Sequence, residues 1–226
     1  MTRLDALVFD AYGTLFNVHS VITRCEELFP GKGIALSQLW RSKQLEYSWL
    51  RSLMGRYVDF DQVTADGLKV ACQALGLAYT TRVLAELNRA YRTLQPFDDA
   101  IAALRALNAM RPQPKLAILS NGAPEMLSAV VAHSELDKLL DDVLSVDAAG
   151  IFKPAPRVYQ LAVDRLQLEP SRIGFVSSNG WDAAGAKAFG FTVFWVNRAR
   201  APMEKLGVAP DYVLNSLDEL PVLLAA

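Results

Sequence analysis

Five polar residues stand where short apolar runs stop. Asp10 closes Leu4-Asp5-Ala6-Leu7-Val8-Phe9, Ser120 and Asn121 follow Lys115–Leu119, and Ser177 and Asn179 follow Arg172–Val176. Apolar runs of this length, bounded by polar residues, read as buried strands. In parallel sheets ligands bind beyond the carboxyl ends of the strands, so these five side chains converge on one place. Asp10 is the carboxylate among them, and the hydroxyl and amide groups can orient it or a substrate. A lone aspartate after a strand is more commonly a turn or capping residue; the convergence is what marks this one out. The chain has two histidines, His19 and His133, and two cysteines, Cys25 and Cys72. No Cys/His cluster is present, which argues against zinc and leaves a carboxylate as the natural general base.

The elements that must position these residues alternate. Further strands are expected over Phe191–Val196 and, briefly, Asp211–Leu214. Helical patterns cover Phe97–Asn108, Pro124–His133, Pro156–Leu166 and Trp181–Phe189, with Gly190 as a helix C-terminal residue. Ser216-Leu217-Asp218-Glu219 has the form of a capping box opening a last helix. Alternating strands and helices predict an α/β fold, a parallel sheet with helices on both faces. One connection departs from this pattern. About a hundred residues separate the first two strands, where a crossover needs little more than a dozen. The intervening segment, Phe16 to Pro96, is helical in pattern, most clearly over Leu36–Leu53 and Thr80–Leu94. It predicts an inserted helical lid over 16–96 on a core of 1–15 and 97–226, placed at the carboxyl edge of the sheet because it departs directly after Asp10.

Composition narrows the partners. The 226 residues are 52% hydrophobic, enough for a sizeable core, and carry 23 basic against 24 acidic side chains, a formal net charge of −1. That balance offers no electrostatic footprint for nucleic acid or an anionic membrane. No apolar run is long enough to span a bilayer, and no secretory leader is evident. A soluble cytoplasmic protein without a disulfide framework is expected.

The segment Asp10-Ala11-Tyr12-Gly13-Thr14 after a strand resembles the first motif of the haloacid dehalogenase superfamily, whose nucleophile is the first aspartate. Ser120-Asn121, Lys153-Pro154 before a helix, and the stretch Ser177 to Asp182 match the later motifs. Phosphatases of the superfamily carry an acid two residues after the nucleophile. Here that position is Tyr12, whose hydroxyl, with an ordinary pKa near ~10, is a poor substitute. Magnesium-dependent members also place several acids in the last motif, where this chain keeps Asp182; a magnesium site needs hard oxygen ligands. The lid stretch Leu39 to Arg51 and the tail Ser177 to Asp182 together resemble the type II L-2-haloacid dehalogenases, over essentially the whole chain.

That resemblance implies a Rossmann-like core with a helical cap and a hydrolase acting on short (S)-2-haloalkanoates, with no cofactor and no metal. Asp10 attacks carbon 2 and forms an ester, with inversion. Arg41 and Asn121 receive the halide. Thr14, Ser120, Lys153, Ser177 and Asn179 position Asp10 and the substrate carboxylate, and Lys153 keeps Asp10 ionised. Tyr159 supports the site, and Asp182 activates the water that cleaves the ester. Tyr12, Leu45, Phe60 and Trp181 line the alkyl pocket. A homodimer through lid helices is also implied. Where the family pattern has Gln after the lid arginine, this chain has Ser42, whose shorter side chain is expected to leave space beside the alkyl group. The rival readings are a magnesium-dependent phosphatase and a non-catalytic binding protein on the same fold.

Overall fold

The computed structural model describes residues 4–225. The apolar runs form a six-stranded sheet, all parallel, in the order β3-β2-β1-β4-β5-β6. The strands are β1 (Ala6–Phe9), β2 (Lys115–Ser120), β3 (Asp142–Ser145), β4 (Ile173–Ser177), β5 (Thr192–Val196) and β6 (Tyr212–Leu214). Every residue of β1 and β4 is buried, because helices cover both faces and such strands need no polar alternation.

The structure departs from the sequence pattern at several elements. The edge strand β3 was not anticipated: Asp-Val-Leu-Ser is short and only partly buried, so it carries no apolar run to betray it. The helix expected over Thr80–Leu94 ends at Ala90.

The core helices are α5 (Asp98–Ala109), α6 (Pro124–His133), α7 (Pro156–Leu166), α8 (Gly180–Phe189) and α9 (Glu219–Ala225). Right-handed crossovers put α5 and α6 on one face and α7 and α8 on the other; α5 packs with α9, and α7 with α8. Gly190 ends α8 at φ +117°. Ser216 does not cap α9 as a capping box would. Its hydroxyl donates to the Asp99 and Asp218 carboxylates, while the Glu219 carboxylate accepts from the Asn215 amide.

Between β1 and β2 lie α1 (Ile22–Leu28), α2 (Gly33–Leu53), α3 (Phe60–Ala74) and α4 (Thr81–Ala90). Asp59 and Thr80 cap α3 and α4 by accepting from the amides of Gln62 and Val83. A buried polar network fixes α2. Trp40 Nε1 donates to the Thr64 carbonyl, Gln44 Nε2 to Thr64 Oγ1, and the Tyr91 hydroxyl to Gln44 Oε1. The two connections of the insertion are tied together: the Asn17 amide donates to the Gln95 carbonyl at 2.8 Å and the Phe97 amide to the Leu15 carbonyl at 2.9 Å. Cys25 and Cys72 are buried and free. Among the described residues no helix is long and apolar enough to cross a membrane.

Candidate active site

Register brings the polar residues together. Phe9 pairs with Ile118 on one side and Val176 on the other, so Asp10, Ser120 and Ser177 leave three adjacent strands at one edge. β1 is also where strand order reverses, which opens the crevice that α/β sheets use for ligands.

Asp10 is buried and held by three side chains. Lys153 Nζ donates to Oδ1 at 3.1 Å, and Thr14 Oγ1 and Asn179 Nδ2 donate to Oδ2 at 3.0 and 2.7 Å. Gly13 makes the turn that returns Thr14 to Asp10; its φ of +95° is a conformation that side chains with a Cβ resist. Thr14 Oγ1 also accepts the Ser178 amide at 2.8 Å. That acceptor contact leaves its single proton for Asp10.

Lys153 links the nucleophile to a second carboxylate, donating to Asp182 Oδ2 at 2.9 Å. Asp182 sits in the first turn of α8, and its other oxygen accepts from the Tyr159 hydroxyl of α7 at 2.8 Å. Gly185 permits this approach, since a Cβ there would lie 2.5 Å from the Tyr159 hydroxyl. Burial pushes the Asp182 carboxyl up; Lys153 opposes this and the nearby Asp10 adds to it, leaving the pKa at about 6. Burial works against the Lys153 charge, but Asp10 and Asp182 overcome it and the pKa is raised. Burial and Asp182 together raise the Tyr159 hydroxyl well above its ordinary value, so it remains a donor. A buried ion cluster survives its desolvation cost only when its oxygens and protons are well paired, as they are here.

The remaining strand-end residues shape loops. Ser120 Oγ accepts the Gly122 amide and Ser177 Oγ the Asn179 amide, both at 3.1 Å. Asn121 Oδ1 accepts the Lys153 amide at 3.0 Å. Neither serine bonds Asp10 directly.

The insertion supplies the opposite wall. Arg41, on α2, donates to the Tyr12 carbonyl at 3.3 Å. Leu45 lies one turn further along the same helix, half-buried. Phe60 opens α3, and its ring centre is 5.8 Å from that of Tyr12. The Tyr12 hydroxyl is buried with no hydrogen-bond partner. Trp181 meets Trp49 of α2 edge to face at 5.4 Å. Ser42 is exposed, with its hydroxyl turned back on the Gln38 carbonyl at 3.0 Å.

Two carboxylates, each sharing an oxygen with Lys153, suit a divalent cation poorly. Among the described residues no group of three or more His, Cys, Asp or Glu side chains is placed to hold a metal ion. Sequence reading passed over Asp99, Ser178 and Arg198, which lie directly behind Thr14. Arg198 follows the end of β5, and that position at the carboxyl edge was the available signal.

A family model described as haloacid dehalogenase-like hydrolase matches residues 4–190. The chain is 50% identical over 217 residues to an (S)-2-haloacid dehalogenase of Pseudomonas sp. (strain YL), covering 96% of this chain and 93% of that protein. It is 42% identical over 225 residues to haloacetate dehalogenase H-2 of Moraxella sp. (strain B), covering 100% of both. A solved structure of the Xanthobacter autotrophicus L-2-haloacid dehalogenase with chloropropionic acid covalently bound superposes with a TM-score of 0.92 at 44% identity, covering 99% of each chain.

Proposed function

The chain belongs to the haloacid dehalogenase-like hydrolases, and on that premise we propose that it hydrolyses the carbon–halogen bond of short (S)-2-haloalkanoates to 2-hydroxy acids and halide. The observation that carries this reading is the buried Asp10 carboxylate, fixed by Lys153, Thr14 and Asn179.

One Asp10 oxygen attacks carbon 2 from the face opposite the halogen. A carbon–oxygen bond forms, the carbon–halogen bond breaks, and the configuration inverts. Holding the carboxylate in line at ~3–3.5 Å supplies several kcal/mol of the barrier reduction. The halide departs as an anion toward the Arg41 guanidinium and the Asn121 side-chain amide. Fixed positive charge there stabilises the leaving group as its charge develops, and halide needs no protonation, consistent with Tyr12 in place of an acid. Ser120 and Lys153 hold the substrate carboxylate, while Tyr12, Leu45, Phe60 and Trp181 enclose the alkyl group. Asp182 then takes a proton from water, which attacks the Asp10 ester carbonyl. Collapse of that adduct, with one proton passing to the departing alkoxide oxygen and the other released to solvent, frees the D-2-hydroxy acid and regenerates Asp10 and Asp182.

In this reading residues 16–96 act as a cap on the core of 1–15 and 97–226, and the reaction requires no metal. Two chains associate through lid helices, a reading supported by exposed Leu50, Leu53 and Met54 at the end of α2; light scattering at twice the monomer mass is expected. Balanced charge and two buried free thiols suit a reducing cytoplasm.

The decisive experiment measures halide release from chloroacetate and each enantiomer of 2-chloropropionate with a chelator present. Release from chloroacetate and the L-enantiomer is expected, unaffected by the chelator. No release, together with magnesium-dependent phosphate release from an aryl phosphate, would place the chain among the phosphatases.

A further inference from the structure

Arg198 touches no reacting group, yet it spans three segments that meet behind the nucleophile. Its Nε and Nη2 donate to Asp99 Oδ2 and Oδ1 at 2.7 and 2.8 Å, a two-pronged pair. Nη1 donates to Ser178 Oγ at 2.8 Å, and Nη2 also to the Thr14 carbonyl at 3.1 Å. The guanidinium lies 4.2 Å from the Phe97 ring centre. Thr14 belongs to the segment leaving β1 for the helical insertion. Phe97 and Asp99 belong to the segment returning from it, and Ser178 to the loop between β4 and α8 that carries Asn179. Asp99 is anchored in turn by the Leu217 amide at 2.9 Å and the Ser216 hydroxyl at 3.2 Å. Burial raises its carboxyl, but Arg198 and the Leu217 amide outweigh that and hold it ionised below the usual carboxylate range.

These contacts converge on the Oδ2 side of Asp10. Thr14 Oγ1, which donates to Oδ2, receives the Ser178 amide. Arg198 thus grips both halves of that relay, the Thr14 backbone and the Ser178 side chain. We propose that Arg198 is a positioning residue for the nucleophile, locking Thr14 and Ser178 to the two connections of the helical insertion so that the Asp10 carboxylate, held through Oδ2, keeps its attack geometry. The inference rests on the dehalogenase reading of Asp10 above. Only a planar fork can serve Asp99, Ser178 and Thr14 while lying on the Phe97 ring; a lysine would keep the charge and lose that geometry.

The effect should fall on ester formation rather than on substrate binding or ester hydrolysis, since Lys153, Asp182 and Tyr159 lie on the other side of Asp10. Rapid-quench single turnover with L-2-chloropropionate, followed by mass spectrometry of the Asp10 peptide, reads that step directly. Arg198→Met and Arg198→Lys should both slow ester formation about 10- to 100-fold, with KM within about threefold. The pair is partly exposed, with side-chain exposures of 21% for Arg198 and 14% for Asp99, so a small cation can enter the gap left by truncation. Guanidinium at millimolar concentration, far below the molar range that unfolds proteins, should therefore restore part of the rate to Arg198→Ala.

Ester formation at the wild-type rate in folded Arg198→Met and Arg198→Lys would overturn the proposal. So would a loss that only tracks the unfolded fraction and does not respond to guanidinium. Failure of the wild-type chain to release halide would overturn the reading of the site itself, and this proposal with it.

Discussion

The two walls of the site are built on opposite plans. At the strand ends the cation, Lys153, is fully buried and bound to two carboxylates at 3.1 and 2.9 Å. On the helical insertion the cation, Arg41, is partly exposed, forms no ion pair among the described residues and makes one long hydrogen bond, to the Tyr12 carbonyl. A fully paired buried network is rigid, and any broken member is costly. A cation with donors to spare is ready for an anion that exists only as the reaction proceeds. On the proposed mechanism the sheet thus fixes the attacking group, while the insertion keeps charge in reserve for the leaving group.

This contrast can be broken experimentally. The largest effect is expected from Asp10→Asn, which should reduce halide release to background in an ion-selective electrode assay; normal turnover by fresh protein would end the argument for Asp10. Asp182→Asn should stop after one turnover, with an ester on the Asp10 peptide visible by mass spectrometry, and ready hydrolysis of that ester would remove Asp182 from the water step. In the unaltered enzyme the Asp182 carboxyl must be ionised to accept a proton. Burial raises that carboxyl and the Asp10 charge adds to it; ester formation removes the Asp10 charge, so ester hydrolysis should fall about tenfold per pH unit below an inflection that lies under the free enzyme's value of about 6. The folded pKa lies above the ordinary 3.8, so the stability that Asp182 contributes is complete below that value and is lost as pH rises through about 6.

Next comes a matched pair. Lys153→Met and Arg41→Met should each lower kcat by about 10²–10³. Denaturant melts should separate them. Losing Lys153 strands two buried carboxylates and should cost about 3–5 kcal/mol, whereas losing Arg41 should stay within about 1 kcal/mol. Equal destabilisation would show that Arg41 is structural and that the contrast between the two walls is false. The smallest effect is expected at Ser42. Its side chain is exposed and bonded to its own helix, so Ser42→Gln should shift the kcat/KM ratio of 2-chlorobutyrate to 2-chloropropionate less than about threefold. A larger shift would bring position 42 into the alkyl pocket.

Strand-end residues were legible because the boundary of an apolar run is a local signal. Asp10, Ser120, Asn121, Ser177 and Asn179 could be placed at one edge before any coordinates, and the length of the first connection announced the helical insertion. The family motifs added Lys153, Asp182 and Arg41, which periodicity could not have separated from solvated charges. Local pattern failed where burial was incomplete, as at β3, or where a distant partner competed, as at Ser216, whose hydroxyl is drawn to Asp99.

By itself, then, the sequence determined which strands end in polar groups and which chemistry those groups allow, since both depend on neighbours along the chain. Only the tertiary structure decided that one ammonium joins Asp10 to Asp182, that Tyr159 holds the far oxygen of Asp182, and that Arg198 braces Thr14 and Ser178 against Asp99. Lys153 is 143 residues from Asp10, and Arg198 is 184 from Thr14. Pairings at such separations are selected by packing of the sheet and its helices, which orients a buried side chain toward the partner that offsets its desolvation.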